Sequence, residues 1–316
     1  MLKLYPSWFM FLSLTVMGIL LIVSSNNWFM AWMGFELSLM GFMPMFITDS
    51  LSIEGLVKYF LVQVGGSSLF ILSYMVYSIK SISSILFICS MFIKLGVFPF
   101  FQWVPAVMIM LEWSGCLLLV TVQKLAPLAM IMLINPISIS SSIMSVVALS
   151  ALVASILGFN QTLFRILLAY SSIIHTSWIL ISSLFSFKTT VMYLSVYYSL
   201  TIFMFMYLSM VNSSSVVGTM NSSNSYAALS VALLILTGMP PFSMFFLKLM
   251  VLQLLAGYSS IAMVMLLSSS ISTYFYMMYI IPSVAKYWSL SLSMGDSIKL
   301  STLMVIGSIV PILSLL

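Results

Sequence analysis

Four ionisable residues lie inside stretches of the chain that are otherwise almost wholly apolar: Glu36, Lys94, Lys124 and Lys248. Only 5% of the 316 residues are charged, so this placement is unusual. A lysine or carboxylate at the centre of a bilayer costs about 2.5 to 3.5 kcal/mol, and such a residue normally faces a polar interior and has a function there. The four residues therefore predict movement of charge across a membrane.

The elements that hold these residues are predicted to be transmembrane helices. Apolar residues make up 63% of the sequence, which leaves too little polar surface to dissolve a globule of this size. Runs of roughly 20 apolar residues recur from end to end, whereas barrel strands would alternate over about ten. The sequence predicts an all-α polytopic membrane protein of about eleven spans in a single domain over residues 1–316, with the first span retained rather than removed as a signal.

Two of the predicted spans are longer than one crossing needs and are interrupted by glycine and proline. The interruptions fall at Gly96, Pro99 and Pro105 in Ile82–Met110, and at Gly238, Pro240 and Pro241 in Ala227–Leu255. Because proline removes a backbone donor and clashes with the preceding turn, each interruption frees backbone groups that must lie against protein or water. A pair of such spans is typical of transporters built from inverted repeats, and it indicates the working site.

The lysines are predicted to be solvated at these interruptions. Lys94 precedes the first, Lys248 follows the second, and Lys124 is followed by Pro127, so carbonyl groups and water can surround each ammonium. Burial and nearby charge both change the proton affinity of a lysine, so a modest rearrangement can load or unload a proton. The alternative is that each side chain extends to the membrane interface, where its charge is hydrated.

Glu36 and His175 are the other candidate proton carriers. Glu36 has no cation one turn away on its own helix, so its partner must come from another helix. It is either a proton acceptor and counter-ion for a buried lysine or a neutral packing carboxyl. His175, the only histidine, follows Arg165 in a span rich in serine and threonine, and it is either a relay or one half of an interhelical hydrogen bond.

The sequence contains no motif for a redox cofactor, a metal ion or a nucleic acid. There is no glycine-rich phosphate loop, dinucleotide fingerprint, Ser/His/Asp arrangement or Cys/His cluster, and Cys89 and Cys116 lie in apolar stretches typical of buried thiols. The other acidic residues lie in or beside loops and are predicted to be solvated: Asp49, Glu54, Glu112 and Asp296. We therefore expect that this chain binds no redox cofactor and carries out no redox chemistry itself.

The net charge of +5 arises mainly from basic residues near span ends, where they set orientation. With the predicted spans, Lys80 and Lys188 fall on one side of the membrane. The larger group falls on the other side: Lys3, Lys58, Arg165, Lys286 and Lys299. The amino terminus is therefore expected on the matrix or cytoplasmic side. A break from Pro282 to Ile298 is predicted to be the last loop.

Strings that contain these residues resemble the NADH-ubiquinone oxidoreductase chain 2 family, the antiporter-like, proton-translocating membrane subunits of respiratory complex I. They run in order over most of the chain: Asn26-Asn27-Trp28 to Glu36, Lys94 to Phe100 with Trp103 and Pro105, Trp113 to Gln123-Lys124 and Pro127, Asn160 to Arg165 and His175, and Gly238 to Phe242 with Lys248. The family's Pro-Phe-His string ends in Phe101 here, a later carboxylate or amide is Ala106, and a Glu-Gly pair is Ile109-Met110.

The resemblance implies that Glu36 is the carboxylate of the channel, Lys94 its lysine partner, Lys124 the central lysine and Lys248 the terminal lysine. It implies a multi-pass protein of the mitochondrial inner membrane, and in that membrane the basic residues predict an amino terminus on the matrix side. The implied partners are lipid and other membrane subunits of complex I, including neighbouring antiporter-like subunits. NADH, FMN, iron–sulfur clusters and ubiquinone are implied in other subunits.

The expected function is proton translocation along a hydrophilic axis from Glu36 through Lys94 and Lys124 to Lys248, driven by NADH oxidation and ubiquinone reduction elsewhere in the complex. Two alternatives use the same sequence features. A stand-alone or Mrp-like sodium/proton antiporter subunit would employ the same lysines and interrupted helices. A scaffold subunit would join its neighbours without moving protons, and its axis would be dry.

Overall fold

The computed structural model describes residues 6–47, 50–134, 140–159, 161–211 and 223–291. Every regular element in these ranges is helical, which confirms the prediction of an all-α protein. Six residues named in the sequence analysis lie outside the described ranges: Lys3, Asp49, Asn160, Asp296, Ile298 and Lys299.

The chain divides into two compact units, Met1–Val146 and Val147–Leu316. Within the first unit the helices are α1 (Pro6–Ser24), α2 (Trp28–Phe42) with a 3-10 turn (Met43–Phe46), α3 (Ser50–Met75), α4 (Lys80–Leu95), α5 (Trp103–Met110), α6 (Trp113–Val120) and α7 (Val122–Ile134). The boundary falls inside α8 (Ser140–Gly158). The second unit continues with α9 (Phe164–Phe185), α10 (Phe187–Val211), α11 (Ser223–Thr237), α12 (Ser243–Leu254) and α13 (Ser259–Ser291).

Seven helical segments of the described ranges are long and apolar enough to cross a membrane. They are Trp28–Phe46, Ser50–Met75, Trp113–Ile134, Ser141–Gly158, Phe164–Phe185, Phe187–Met210 and Ser259–Ile281. Shorter apolar helices run over Trp8–Ser24 and Ser243–Leu254. The chain is therefore a multi-pass membrane protein.

In the first unit, α1 and α2 pack with their backbones almost in contact. A Cβ added to Gly18 would lie 2.6 Å from the carbonyl oxygen of Gly34, and one added to Gly41 would lie 2.8 Å from that of Phe11. Small residues permit such close approach between membrane helices, where van der Waals packing replaces the hydrophobic effect as the main attraction. This packing fixes the position of α2, the helix that carries Glu36.

In the second unit, α9 packs against α10, α12 and α13. Its serine, threonine and histidine side chains are consequently buried, including Ser171, His175 and Ser177. Many of these hydroxyls bond to carbonyls one turn earlier on the same helix, and Ser177 also lies 2.8 Å from the Ser150 hydroxyl of α8. Polar side chains of this kind can be buried in a membrane helix because each finds a partner within the protein.

The prediction of a loop beginning at Pro282 was wrong at its start, because α13 continues through this residue to Ser291. A proline in a membrane helix removes one backbone donor, and neighbouring groups can satisfy the freed carbonyl without ending the helix.

Candidate functional site

The first candidate position is the carboxyl end of α4, where the chain turns out of the helix at Gly96. Gly96 has φ of +70°, a left-handed conformation that favours glycine. The Gly96 N–H donates to the Ile93 carbonyl at 3.3 Å and the Val97 N–H donates to the Phe92 carbonyl at 3.0 Å, the paired bonds of a Schellman cap. The chain is not in a regular helix again until α5.

Lys94 occupies the last turn of α4 and is buried, with 5% of its surface exposed. Its Nζ lies 3.5 Å from the backbone carbonyl oxygen of Gln63 on α3 and 4.2 Å from the centre of the Phe35 ring on α2. The Gln63 side chain in turn donates from Nε2 to the Lys94 carbonyl at 3.4 Å. The ammonium is thus held in the protein interior, with a carbonyl dipole and an aromatic face near it.

Glu36 directly follows Phe35 on α2 and is half-buried. It lies close enough to Lys94 for a coulombic interaction between the two side chains. The structure therefore brings together one acid and one base that are far apart in the sequence. An acid and a base in a site of low dielectric influence each other's charge far more strongly than they would in water.

Lys124 lies on α7, a helix that packs against α4, and it is 2% exposed. The neighbouring Gln123 donates from Nε2 to the Ser38 carbonyl of α2 at 3.4 Å, which ties α7 to the helix that carries Glu36. Pro127 lies inside α7 and cannot donate to the carbonyl one turn earlier. The first unit therefore contains three of the predicted residues on packed helices: Glu36, Lys94 and Lys124.

The second candidate position is the end of α11, where Gly238 has φ of +75°. Its N–H donates to the Ile235 carbonyl at 3.1 Å. Pro240 and Pro241 follow in a turn, and α12 begins at Ser243. As at α4, the chain leaves the helix at a left-handed glycine and forms a new helix after a short non-helical segment.

Lys248 lies on α12 and its side chain reaches back to the end of α11. Its Nζ donates to the Thr237 carbonyl at 2.9 Å, and a Cβ added to Gly238 would lie 3.2 Å from the same Nζ. The ammonium also lies 5.9 Å from the centre of the Trp178 ring on α9. No carboxylate occurs between Val147 and Ser291, so within the described part of the second unit this charge interacts with dipoles and an aromatic ring.

His175 is buried on α9 and contacts two tyrosines of α10. Its Nδ1 lies 3.1 Å from the Tyr193 hydroxyl, and its ring stacks on that of Tyr197 with centroids 4.8 Å apart. Arg165 lies at the first turn of α9 and is half-buried. Sequence reasoning missed Tyr193, although tyrosines one helical turn apart in an apolar span were an available signal.

The positions that differ from the resembling family are occupied by apolar residues. Phe101 is buried, Ile109 is exposed and Ala106 is half-buried. Met110 packs against α3, where a Cβ added to Gly55 would lie 2.8 Å from the Met110 Cβ. These side chains have no ionisable group, so none of them can carry a proton.

The NADH:quinone oxidoreductase/Mrp antiporter transmembrane family matches residues 76–275 of this chain. NADH-ubiquinone oxidoreductase chain 2 of Lumbricus terrestris is 34% identical over 278 residues, covering 84% of this chain and 83% of the relative. The protein of the same name from Mytilus edulis is 37% identical over 244 residues, covering 76% and 75%. A chain of respiratory complex I from Thermus thermophilus has a similar fold, with a TM-score of 0.81, 19% identity, and coverage of 98% of this chain and 79% of that one.

The chain therefore belongs to the NADH:quinone oxidoreductase/Mrp antiporter family of membrane proteins, and within it to the NADH-ubiquinone oxidoreductase chain 2 group.

Proposed function

We propose that this chain is a proton-translocating membrane subunit of respiratory complex I and that Glu36, Lys94, Lys124 and Lys248 carry the protons. The observation that carries this proposal is the burial of three lysines in apolar helices, none with more than 7% of its surface exposed. Buried lysines are expensive in a membrane protein and are rare without a function. The names of the relatives, which are subunits of an NADH-ubiquinone oxidoreductase, supply the enzyme to which this function belongs.

In the proposed mechanism, the charge on one group controls the charge on the next. In the first unit, loss of a proton from Glu36 leaves a carboxylate near Lys94, and this favours the charged lysine. Neutralising the carboxylate removes that support, so Lys94 can pass its proton on. Moving one charge against the membrane potential costs about 2.3 kcal/mol per 100 mV, so the direction of transfer must be imposed from outside this chain.

The proposed driving reaction is NADH oxidation coupled to ubiquinone reduction. FMN, the iron–sulfur clusters and the sites for NADH and ubiquinone are assigned to other subunits. The partners of this chain are the neighbouring membrane subunits of the complex, antiporter-like subunits included, and the surrounding lipid. The chain is assigned to the mitochondrial inner membrane. Its amino terminus is assigned to the matrix side, because its basic residues favour that orientation.

The proposed topology is a single domain over residues 1–316 with about eleven spans. Seven long helical segments and the apolar helix Trp8–Ser24 give eight. The pairs α4–α5 and α11–α12 each supply one interrupted span, and the two spans are proposed to be related as an inverted repeat. The first is broken at Gly96, Pro99 and Pro105, and the second at Gly238, Pro240 and Pro241. The eleventh predicted span lies outside the described residues.

The test is proton pumping by the assembled complex in inner-membrane vesicles. Lys124→Ala and Lys248→Ala should each impair NADH-driven pumping and, because the two activities are coupled, slow NADH:ubiquinone turnover. Lys80→Ala is the control, since Lys80 is exposed at the start of α4. A wild-type ratio of protons to NADH in both variants would exclude these lysines from the pathway. Glu36→Gln tests the carboxylate separately, and full coupled activity in that variant would leave Glu36 only a packing role.

Sodium-dependent proton exchange by the isolated chain would support the antiporter alternative instead. The matching family also includes Mrp antiporters, which is the observation that favours this alternative.

A further inference from the structure

The carboxyl end of α4 uses side chains from two other helices to satisfy its backbone. The last carbonyls of a helix have no partner within it, and an unsatisfied carbonyl in the hydrocarbon region costs several kcal/mol. Backbone N–H groups after the helix satisfy the carbonyls of Phe92 and Ile93. The Lys94 carbonyl accepts from Gln63, and Ile93 accepts a second bond from the Trp103 indole.

Gln63 is well placed for this role. It is 7% exposed on α3, and the α3 backbone lies close to α4 near this residue. A Cβ added to Gly66 would lie 3.0 Å from the Lys94 Cγ and 3.4 Å from the Ser90 carbonyl oxygen. Residues three apart on a helix share a face, so Gln63 and Gly66 face the same stretch of α4.

Gln63 contacts both ends of Lys94. The glutamine side chain donates to the lysine carbonyl at 3.4 Å, and the lysine Nζ lies 3.5 Å from the glutamine carbonyl. Both distances are long for hydrogen bonds, so the individual energies are small. Their combined effect is geometric, because two contacts between the same two residues fix the direction in which the lysine side chain leaves α4.

Trp103 holds the same turn from the opposite side of the interruption. Its Nε1 donates to the Ile93 carbonyl at 3.0 Å, and its ring packs on that of Tyr59 with centroids 5.8 Å apart. Tyr59 lies on α3, one helical turn before Gln63. Gln63 therefore binds the Lys94 carbonyl from α3 itself, and Trp103, which packs against Tyr59 of α3, binds the carbonyl of the preceding residue, Ile93.

We propose that Gln63 and Trp103 are positioning residues that hold the ammonium of Lys94 beside Phe35 and within range of Glu36. This inference rests on the proposed function of Lys94 as a proton carrier. Neither residue carries a proton itself. Each acts through the backbone of the turn that bears the lysine, so its loss should alter the rate and pH dependence of proton transfer more than the amount of folded protein.

The experiment uses the whole complex in inner-membrane vesicles with Gln63→Met and Trp103→Phe, which keep most of the packing volume and cannot donate the hydrogen bonds. Gln161→Met and Trp8→Phe are matched controls outside this cluster. Turnover per assembled complex should fall roughly two- to tenfold in Trp103→Phe, which loses an ordinary hydrogen bond, and by a smaller factor in Gln63→Met, which loses a longer and weaker one. The pH profile should change shape, while the ubiquinone KM and the abundance on native gels should match those of the controls.

Gln63→Glu provides a second reading if Gln63→Met assembles poorly, because it preserves the shape and places a carboxylate next to Lys94. Its pH profile should differ from that of the wild type. Unchanged turnover and pH profile per assembled complex, with any loss confined to abundance, would reduce both residues to a structural role.

Lys94→Ala separates the two proposals: if that variant pumps normally, the proposed role of Lys94 fails and the positioning inference fails with it. If it does not pump and the test variants behave as wild type, only the positioning inference fails.

Discussion

The ends of α4 and α11 solve the same problem with different chemistry. Both helices stop at a glycine with positive φ and leave carbonyl groups to be satisfied in an apolar environment. At α4 the extra donors are neutral side chains, Gln63 and Trp103. At α11 the extra donor is the ammonium of Lys248, which bonds to Thr237. The candidate proton carrier is thus separate from the cap in the first unit and is part of the cap in the second.

The two lysines also differ in the charges near them. Lys94 has a carboxylate side chain, Glu36, within coulombic range. Lys248 has the partial negative charge of a helix end and the face of Trp178, and the described part of its unit contains no carboxylate. The ionisable neighbour of Lys94 is therefore a side chain, whereas the ammonium of Lys248 is bonded to the backbone of α11.

The largest effects are expected when each lysine is replaced in turn. Lys248→Ala should impair pumping and also destabilise the second unit by about 1 to 3 kcal/mol, because the Thr237 carbonyl loses a charged donor. Lys94→Ala should impair pumping with a smaller loss of stability, since Gln63 and Trp103 still cap α4. Thermal unfolding of the assembled complex and its abundance on native gels measure the difference.

Equal stability losses in the two variants would show that Lys248 contributes no more to its helix end than Lys94 does. Lys58→Ala serves as the reference substitution, because the exposed pair between Lys58 and Glu54 should contribute no more than about 1 kcal/mol.

The next comparison replaces the two glycines. Alanine at either position adopts a left-handed conformation that costs roughly 1 to 2 kcal/mol. Gly96→Ala should cost more than Gly238→Ala, because its Cβ would lie 2.3 Å from the Val104 Cγ2, whereas the nearest atom at Gly238 is the flexible Lys248 Nζ at 3.2 Å. Adding Val104→Ala to Gly96→Ala should recover part of the loss, measured as a coupling energy in a double-mutant cycle of thermal stability. Strict additivity would show that the steric contact does not limit Gly96.

Much of this architecture could be predicted from the residues themselves. Apolar runs and rare charges predict a helical membrane protein, because a bilayer leaves few other solutions for the backbone. Sequence also singles out the three lysines, since a charge in an apolar run is conspicuous. It does not reveal which donor satisfies which carbonyl, because Trp103 and Lys248 reach their partners only after separate helices have packed.

Two features show where the sequence reasoning was insufficient. Gln63 is uncharged and does not stand out in the sequence, although an amide inside an apolar span also needs a hydrogen-bond partner, and this need is a signal of its role. Pro282 predicts a loop but lies within α13, because a proline in a membrane helix does not always end it. In both cases local residue type was used where the surrounding protein decides.

A smaller effect is expected at the hydrogen-bonded pair of His175 and Tyr193 in the second unit, a pair that contains none of the four charged candidates. Tyr193→Phe removes the hydroxyl that lies 3.1 Å from the His175 Nδ1 and keeps the ring. A purely structural hydrogen bond predicts a stability loss of about 0.5 to 1.5 kcal/mol with normal turnover per complex. A relay role predicts reduced pumping as well. Tyr197→Phe is the matched control, because Tyr197 stacks on the same imidazole.

The smallest expected effect separates two adjacent glycines of α3. Gly65→Ala should be neutral or slightly stabilising, because no atom lies within 4 Å of its added Cβ and alanine favours a helix by up to about 1 kcal/mol. Gly66→Ala gains the same helical preference but places its Cβ 3.0 Å from the Lys94 Cγ, so the lysine stem must move by a few tenths of an ångström. We expect near-normal stability for both and slower pumping only for Gly66→Ala. Equal pumping rates per assembled complex would show that Lys94 tolerates displacement, which would weaken the case that its position is closely controlled.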